Sequence, residues 1–178
     1  VNAAPTAPID IETARLAIRA LREGDEDRLQ AVFTACADHF AALTGQRGPA
    51  PDAAAQELRA CEQTWGRQVA VLTRLDTGQD VGAVGWWAGN PGPDRALLGM
   101  LMIDPAHRRQ GLAREALEAV EMWLGGRGIA ALRTAFQRRR LAIHPIVRAL
   151  GFSEMSVREH TLLGLGGAGI SLWEKPVG

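Results

Sequence analysis

The chain has 178 residues, 47% of them hydrophobic and 22% charged, with twenty basic side chains against twenty acidic ones. That length and composition suit one globular domain with a proper core. Zero net charge removes the general electrostatic case for a nucleic-acid or anionic-membrane partner, and no apolar run nears the ~20 residues that a bilayer-spanning helix needs.

Cys36 and Cys61 are the only cysteines and fall in predicted helices, where they read as reduced, buried thiols and not as a disulfide. His39, His107, His144 and His160 are scattered and there is no C-x-x-C, so no metal ligand set is expected. A single lysine, Lys175, stands against nineteen arginines, a compositional bias that no one function requires. Val1 to Pro8 has no basic-then-apolar leader pattern, and the cytoplasm is the expected location.

Residues 1–13 read as a flexible tail, and residues 14–178 as a single domain without internal repeats. Arg15 to Leu21 alternates polar and apolar residues, as a half-buried strand does. Asp25 is a candidate cap for a helix running to about Phe40, with Leu29, Val32, Phe33 and Cys36 on its buried face. A Gly/Pro loop, residues 44–51, leads to Asp52, which caps a second helix from Ala53 to about Trp65. Gln68 to Leu75 and Val81 to Ala88 form strands joined by a five-residue loop containing Gly78.

Arg95 to Ile103 is a short apolar run closed by Asp104-Pro105, the length of one buried strand. A glycine-bearing turn, residues 108–113, follows. Leu112, Ala113, Ala116, Leu117, Val120, Trp123 and Leu124 then share one face of an amphipathic helix that Gly125 and Gly126 stop. A strand that feeds a helix through a tight turn presents unpaired backbone N–H groups at the positive end of the helix dipole, which makes an anion site. Gly111 and Ala113 let a phosphate approach the backbone, and Arg108 and Arg109 add positive charge. Ile129 to Phe136 is a further strand, Arg140 to Leu150 a short helix ending on Gly151, and residues 152–163 and 169–175 a closing hairpin around Gly164 to Gly167.

The turn lacks the lysine of G-x-x-x-x-G-K-[ST] and has one glycine where G-x-G-x-x-G needs three. Asp104-Pro105-Ala106-His107-Arg108-Arg109-Gln110-Gly111-Leu112-Ala113 instead resembles the acetyl-CoA signature of the GNAT N-acetyltransferase superfamily. Leu150-Gly151-Phe152 stands where that family has its own G-F pair. The likeness covers roughly residues 67–158. It implies an α/β fold: a mixed, mostly antiparallel sheet with helices on both faces and a V-shaped splay between the central strands.

The resemblance further implies transfer of acetyl from acetyl-CoA, as co-substrate, to an amine, here expected to be that of a small molecule. A non-catalytic acyl-CoA-binding module is the alternative, and a homodimer is left open. The implied coenzyme contacts are main-chain groups of Met102 and Ile103, the turn Arg108, Arg109, Gln110, Gly111, Leu112, Ala113 and Arg114, and Arg140. Asp38, His39 and Trp86 are the expected acceptor-side residues. The chain departs from the family at the leaving group. It contains no tyrosine, Val147 occupies the position four residues before Gly151 where the family's acid stands, and His144, one turn earlier, is the candidate in its place. Arg140 stands where an asparagine is familiar.

Overall fold

The computed structural model describes residues 7–156, 158–159 and 169–178. The stretches rich in β-branched and alternating residues become β1 (Asp10–Glu12), β2 (Leu16–Ala20), β3 (Arg67–Arg74), β4 (Asp80–Ala88), β5 (Arg95–Ile103), β6 (Ala131–Gln137), β7 (Ser153–Glu154) and β8 (Ile170–Pro176). The helical periodicities become α1 (Glu26–Ala35), α2 (Ala37–Thr44), α3 (Ala53–Gln63), α4 (Leu112–Gly125) and α5 (His144–Ala149). All eight strands join one sheet in the order β1-β2-β3-β4-β5-β6-β8-β7. Among the described residues only the β5–β6 pairing is parallel.

Helices cover both faces, which explains the nearly unbroken burial of β4 from Val81 to Trp86. On one face Val84, Trp86, Leu98 and Ile103 pack with Leu112, Ala116, Leu117, Val120 and Trp123 of α4. On the other, Val69, Val71, Ala83 and Met102 meet Leu29, Val32 and Phe33 of α1 and Leu58 of α3.

Several elements differ from the sequence reading. The last part of the expected tail, residues 1–13, is folded: β1 pairs with β2, and Ile9 is only 1% exposed. The short Ile9/Ile11 alternation completes the sheet edge. The first helix breaks at Cys36, whose φ of −95° and ψ of 31° leave the helical region while its side chain stays in the core. The helix over 140–150 divides into a 3-10 turn, Leu141–Ile143, and α5. Of the strand expected over 152–163, the described residues form β7; residues 157 and 160–163 and the hairpin tip, Gly164 to Gly167, lie outside the described residues.

β5 and β6 pair over Arg95↔Ala131, Ala96↔Leu132 and Leu97↔Arg133 and then part. The cause is in β5 itself. Its register against β4 runs Trp86↔Leu98 and then Gly85↔Met100, so Gly99 is an extra residue without a partner. Such a bulge bends its strand, and glycine lowers the cost of the bend. The expected splay therefore starts one residue before the bulge, and the remaining length of β5 has a free edge.

The other edge of β5 must hold the fork in place. A Cβ on Gly82 would sit 2.4 Å from the main-chain oxygen of Met102, so a side chain there forces β4 and β5 apart. Gly82→Ala is expected to lower stability by about 1–3 kcal/mol, read as a shift of the denaturant midpoint.

Candidate functional site

At the open end of the fork β5 ends on Asp104, whose carboxylate accepts from the Ala106 N–H at 2.9 Å and starts a 3-10 turn over Pro105–His107. Two residues of the following loop have left-handed backbones, Arg109 at φ 61° and Gly111 at φ 81°. Glycine adopts that conformation freely, whereas for arginine it costs roughly 1–2 kcal/mol. Such turns make successive N–H groups converge into an anion-binding concavity. Among the described residues the N–H groups of Arg109 through Arg114 find no acceptor, and the first helical bond is Glu115 N–H to the Gly111 oxygen at 3.1 Å. The turn 108–111 is exposed, so these donors and the α4 dipole face solvent.

Distant residues brace the turn. Arg15 donates from Nη1 to the Gln110 carbonyl at 2.9 Å and from Nε to Glu115 at 2.7 Å. Thr13 donates to the same carboxylate at 2.6 Å. Burial pushes the Glu115 carboxyl up, but the hydrogen bonds from Thr13 and Arg15 outweigh it and the pKa lies below the usual range. Glu115 therefore stays charged, paired with Arg15 and not aimed at the anion site.

Arg108 is also occupied. Its Nη1 and Nη2 donate to the Asp38 carboxylate at 2.6 and 2.9 Å, and its Nε to the Ile103 carbonyl at 2.7 Å. This side chain thus ties α2 to the end of β5 while its positive charge stays beside the turn. Arg114 donates to the Ala149 carbonyl at the end of α5. The Arg109 guanidinium makes no hydrogen bond or ion pair among the described residues.

Which main-chain groups face the gap follows from the ladder. The Asp104 N–H bonds the Val81 oxygen at 2.9 Å, and register puts Gly82 opposite Ile103 and Ala83 opposite Met102. Antiparallel ladders alternate, so Met102 bonds to β4 while Leu101 and Ile103 turn their N–H and C=O groups to the gap. The sequence reading of Met102 shifts to Leu101, a residue it missed, because hydrogen-bond phase leaves no trace in composition.

The acceptor-side candidates separate. Asp38 serves Arg108, whose hydrogen bond holds the Asp38 carboxyl below the usual range. His39 is half-buried. Burial lowers its pKa first, and the charges of Arg140 and Arg108 lower it further against the opposing pull of Asp38. These three charges place His39 among residues from both arms of the fork. Arg140 itself is half-buried and borders a cavity of about 230 Å3 with Gln137 and Ile170.

Trp86 lies in the core and also borders a hollow shared with Trp87, Gly85 and Gly99. It is 2% exposed with its ring edge-to-face against Trp123, centroids 5.7 Å apart. Trp87 takes the opposite face and donates from Nε1 to the Trp65 carbonyl at 3.0 Å. His144 is packed against Phe136 and Trp173, with centroids at 5.5 and 5.3 Å, and its Nε2 is buried without a partner. Val147 is buried beside it. Cys36 and Cys61 are free thiols, raised by burial to about 11 and about 12. Among the described residues no cluster of His, Cys, Asp and Glu is placed to hold a metal, and no helix is long and apolar enough to cross a membrane.

Residues 29–152 match the model of the Acetyltransferase (GNAT) family. No curated protein matches the sequence significantly. Among solved structures, an acetyltransferase from Thermus thermophilus is 23% identical at a TM-score of 0.75, covering 94% of this chain and 99% of that one. A GCN5-related N-acetyltransferase from Brucella melitensis is 14% identical at 0.75, covering 99% and 82%. The ribosomal-protein-S18-alanine N-acetyltransferase from Escherichia coli is 19% identical at 0.62, covering 91% and 94%. At these identities the structures establish a shared fold.

His39 supplies a pH test. Its folded pKa is depressed below 6.5, so the unfolded chain binds the proton more readily, and stability present above about 6.5 is lost as pH falls through the folded value. In a histidine NMR titration the His39 midpoint is expected below 6.5, and Arg140→Met should raise it. An unmoved midpoint would place Arg140 away from the imidazole.

Proposed function

Because the chain belongs to the GNAT acetyltransferase family, we propose that it moves acetyl from acetyl-CoA to an amine of a small molecule, by direct attack in a ternary complex. One observation carries the reading. A fork between two strands opens at the bulge on Gly99 and ends at a turn whose main-chain N–H groups have no internal acceptor. A diphosphate at that turn leaves the attached arm one natural course, along the free edge of β5.

On this reading the coenzyme diphosphate binds the amides of Arg109 through Arg114, with Arg109 as the available cation, and Arg108 acts by shaping the turn. The free groups of Leu101 and Ile103 pair with the amides of the arm, except that the Ile103 carbonyl is already taken by Arg108. From Ile103 to Gly99 is about 13 Å at ~3.3 Å per residue, so the thioester lies at the fork and not at the turn. Main-chain N–H groups at the bulge then serve the carbonyl oxygen as charge develops on it.

An alkyl ammonium of reference pKa ~10.4 must lose its proton before it attacks. His39, kept neutral at pH 7 by burial and by two arginines, is the acceptor-side imidazole able to receive one. The nitrogen lone pair forms the C–N bond, the C–S bond breaks with its electron pair on sulfur, and the released proton goes to solvent or to the thiolate. With a reference thiol pKa near ~8.5 that thiolate leaves without an obligatory acid. Val147 and the enclosed His144 fit such a step. They equally favour the second reading, a coenzyme-binding module without turnover.

The deciding assay incubates the protein with acetyl-CoA and a panel of amines and follows thiol release, beside calorimetry of CoA. Release supports transfer; binding without release from any amine selects the second reading. Gly111→Val, which closes the backbone approach at a left-handed residue, should weaken CoA at least tenfold. His144→Leu should change kcat less than about threefold, whereas removal of a general acid costs ~10²-fold or more.

A further inference from the structure

Beneath the fork, on the face of the sheet covered by α3, lies a hollow of about 170 Å3 bordered by Glu57, Arg67, Gly85, Trp87, Gly99 and Met100. The register explains why it is there. Arg67 pairs with Trp87, Trp87 with Leu97 and Leu97 with Arg133, a row crossing four strands on one face at the last rung before the fork opens. In the next row Gly85 and Gly99 carry no side chain. Neither glycine is sterically obliged to be one. A Cβ on Gly85 would have its nearest neighbours at 3.5 Å, and one on Gly99 would have a single neighbour at 4.0 Å. Alanine fits at both positions, and its effect would be to fill the hollow.

One wall is charged and held in place. Arg67 donates from Nε to Glu57 Oε1 at 3.2 Å and from Nη2 to Oε2 at 2.7 Å. That two-point pairing fixes the plane of the guanidinium. The remaining nitrogen, Nη1, donates to neither Glu57 oxygen, and the Cys61 thiol is the other group beside this guanidinium, so N–H donors of Nη1 are left for a ligand at the border of the hollow.

We propose that this hollow seats the acceptor, and that the acceptor is a small amino carboxylate whose carboxylate is held by Arg67 while its amine lies at Gly99. The inference rests on the acetyl-transfer reading above and gives it a substrate class. Three features fix the class. The bulge residue borders both the hollow and the fork, so an amine in the hollow stands where the thioester would end. The N–H groups of Arg67 Nη1 select an anion, and planar donors in a fixed plane suit a carboxylate. At ~30 Å3 per water-sized group the volume admits roughly five or six non-hydrogen atoms, the size of an unelaborated amino acid. An amine without the carboxylate would forgo that charge-assisted pairing.

The test compares glycine, L-alanine, β-alanine and 4-aminobutyrate with methylamine, ethylamine and propylamine, their decarboxylated counterparts, by acetyl-CoA-dependent thiol release. The amino acids are expected to exceed their counterparts at least tenfold in kcat/KM. Arg67→Gln combined with Glu57→Gln, which leaves no charge orphaned, should raise KM for the best amino acid about 10- to 100-fold and for its decarboxylated amine less than twofold. Gly85→Ala should discriminate further, against the larger members. Calorimetry of CoA on each variant controls for folding. Equal use of both series, or an equal loss on both in the double variant, overturns the assignment and leaves acetyl transfer intact. Turnover of none of them by a protein that binds CoA overturns the substrate class. Failure to bind CoA at all overturns the reading beneath it.

Discussion

The site depends on a single surplus residue. A strand with a partner on each edge satisfies every main-chain donor and acceptor, and a sheet has no reason to open. Gly99 has no place in the ladder with β4, and the bend it causes takes β5 away from β6 after three pairs. The separation leaves main-chain N–H and C=O groups of Leu101 and Ile103 on an edge inside the molecule, not at its rim. Edges of that kind are tolerated where something pairs with them. On the proposed reading the occupant is an extended chain bearing amides, and the turn at the fork's open end suits one that also bears phosphate.

Holding the turn open is a separate problem, solved from a distance. Arg15 reaches the Gln110 carbonyl and Glu115, nearly a hundred residues away in sequence, and Arg108 reaches Asp38 on α2. Exposed pairs such as these contribute little to global stability. Their effect is on direction: Arg15 keeps a carboxylate at the start of α4 from opposing an incoming anion, and Arg108 removes one carbonyl from the free edge of β5. Asp38 thereby joins α2 to the turn after β5, so that on the proposed reading the two halves of the site share one brace.

The strand–turn–helix over 95–124 was legible because each part has its own local signal: an apolar run of strand length, Asp104-Pro105 as a stop, a glycine, and a 3.6-residue periodicity. Long-range ties left none. Nothing near Arg108 announces Asp38, and nothing near Arg15 announces Glu115. The break at Cys36, a residue buried in the core, has no proline or glycine to mark it. Trp86 and Trp87 show the limit of alternation, which requires opposite faces without saying which ring meets α4. Gly99 lay in plain view as a lone glycine in an apolar strand, the ordinary sign of a bulge, and the shift from Met102 to Leu101 follows once it is read so.

The absence of tyrosine bears on how such a site would accelerate transfer. The usual acid position is a buried valine, and the nearby imidazole is enclosed by Phe136 and Trp173. Chemistry at this fork therefore leans on a leaving group stable as an anion and on proximity, where effective molarities of roughly 10⁵ M and above are available to well-oriented partners. Proximity requires that both reactants be gripped. The turn at Gly111 would grip one. A guanidinium fixed by Glu57, facing a space kept free by two glycines, is the means by which the other would be gripped. A protein that gave up acid catalysis would gain most from an acceptor with a second point of attachment, and a carboxylate a few bonds from the amine supplies that point.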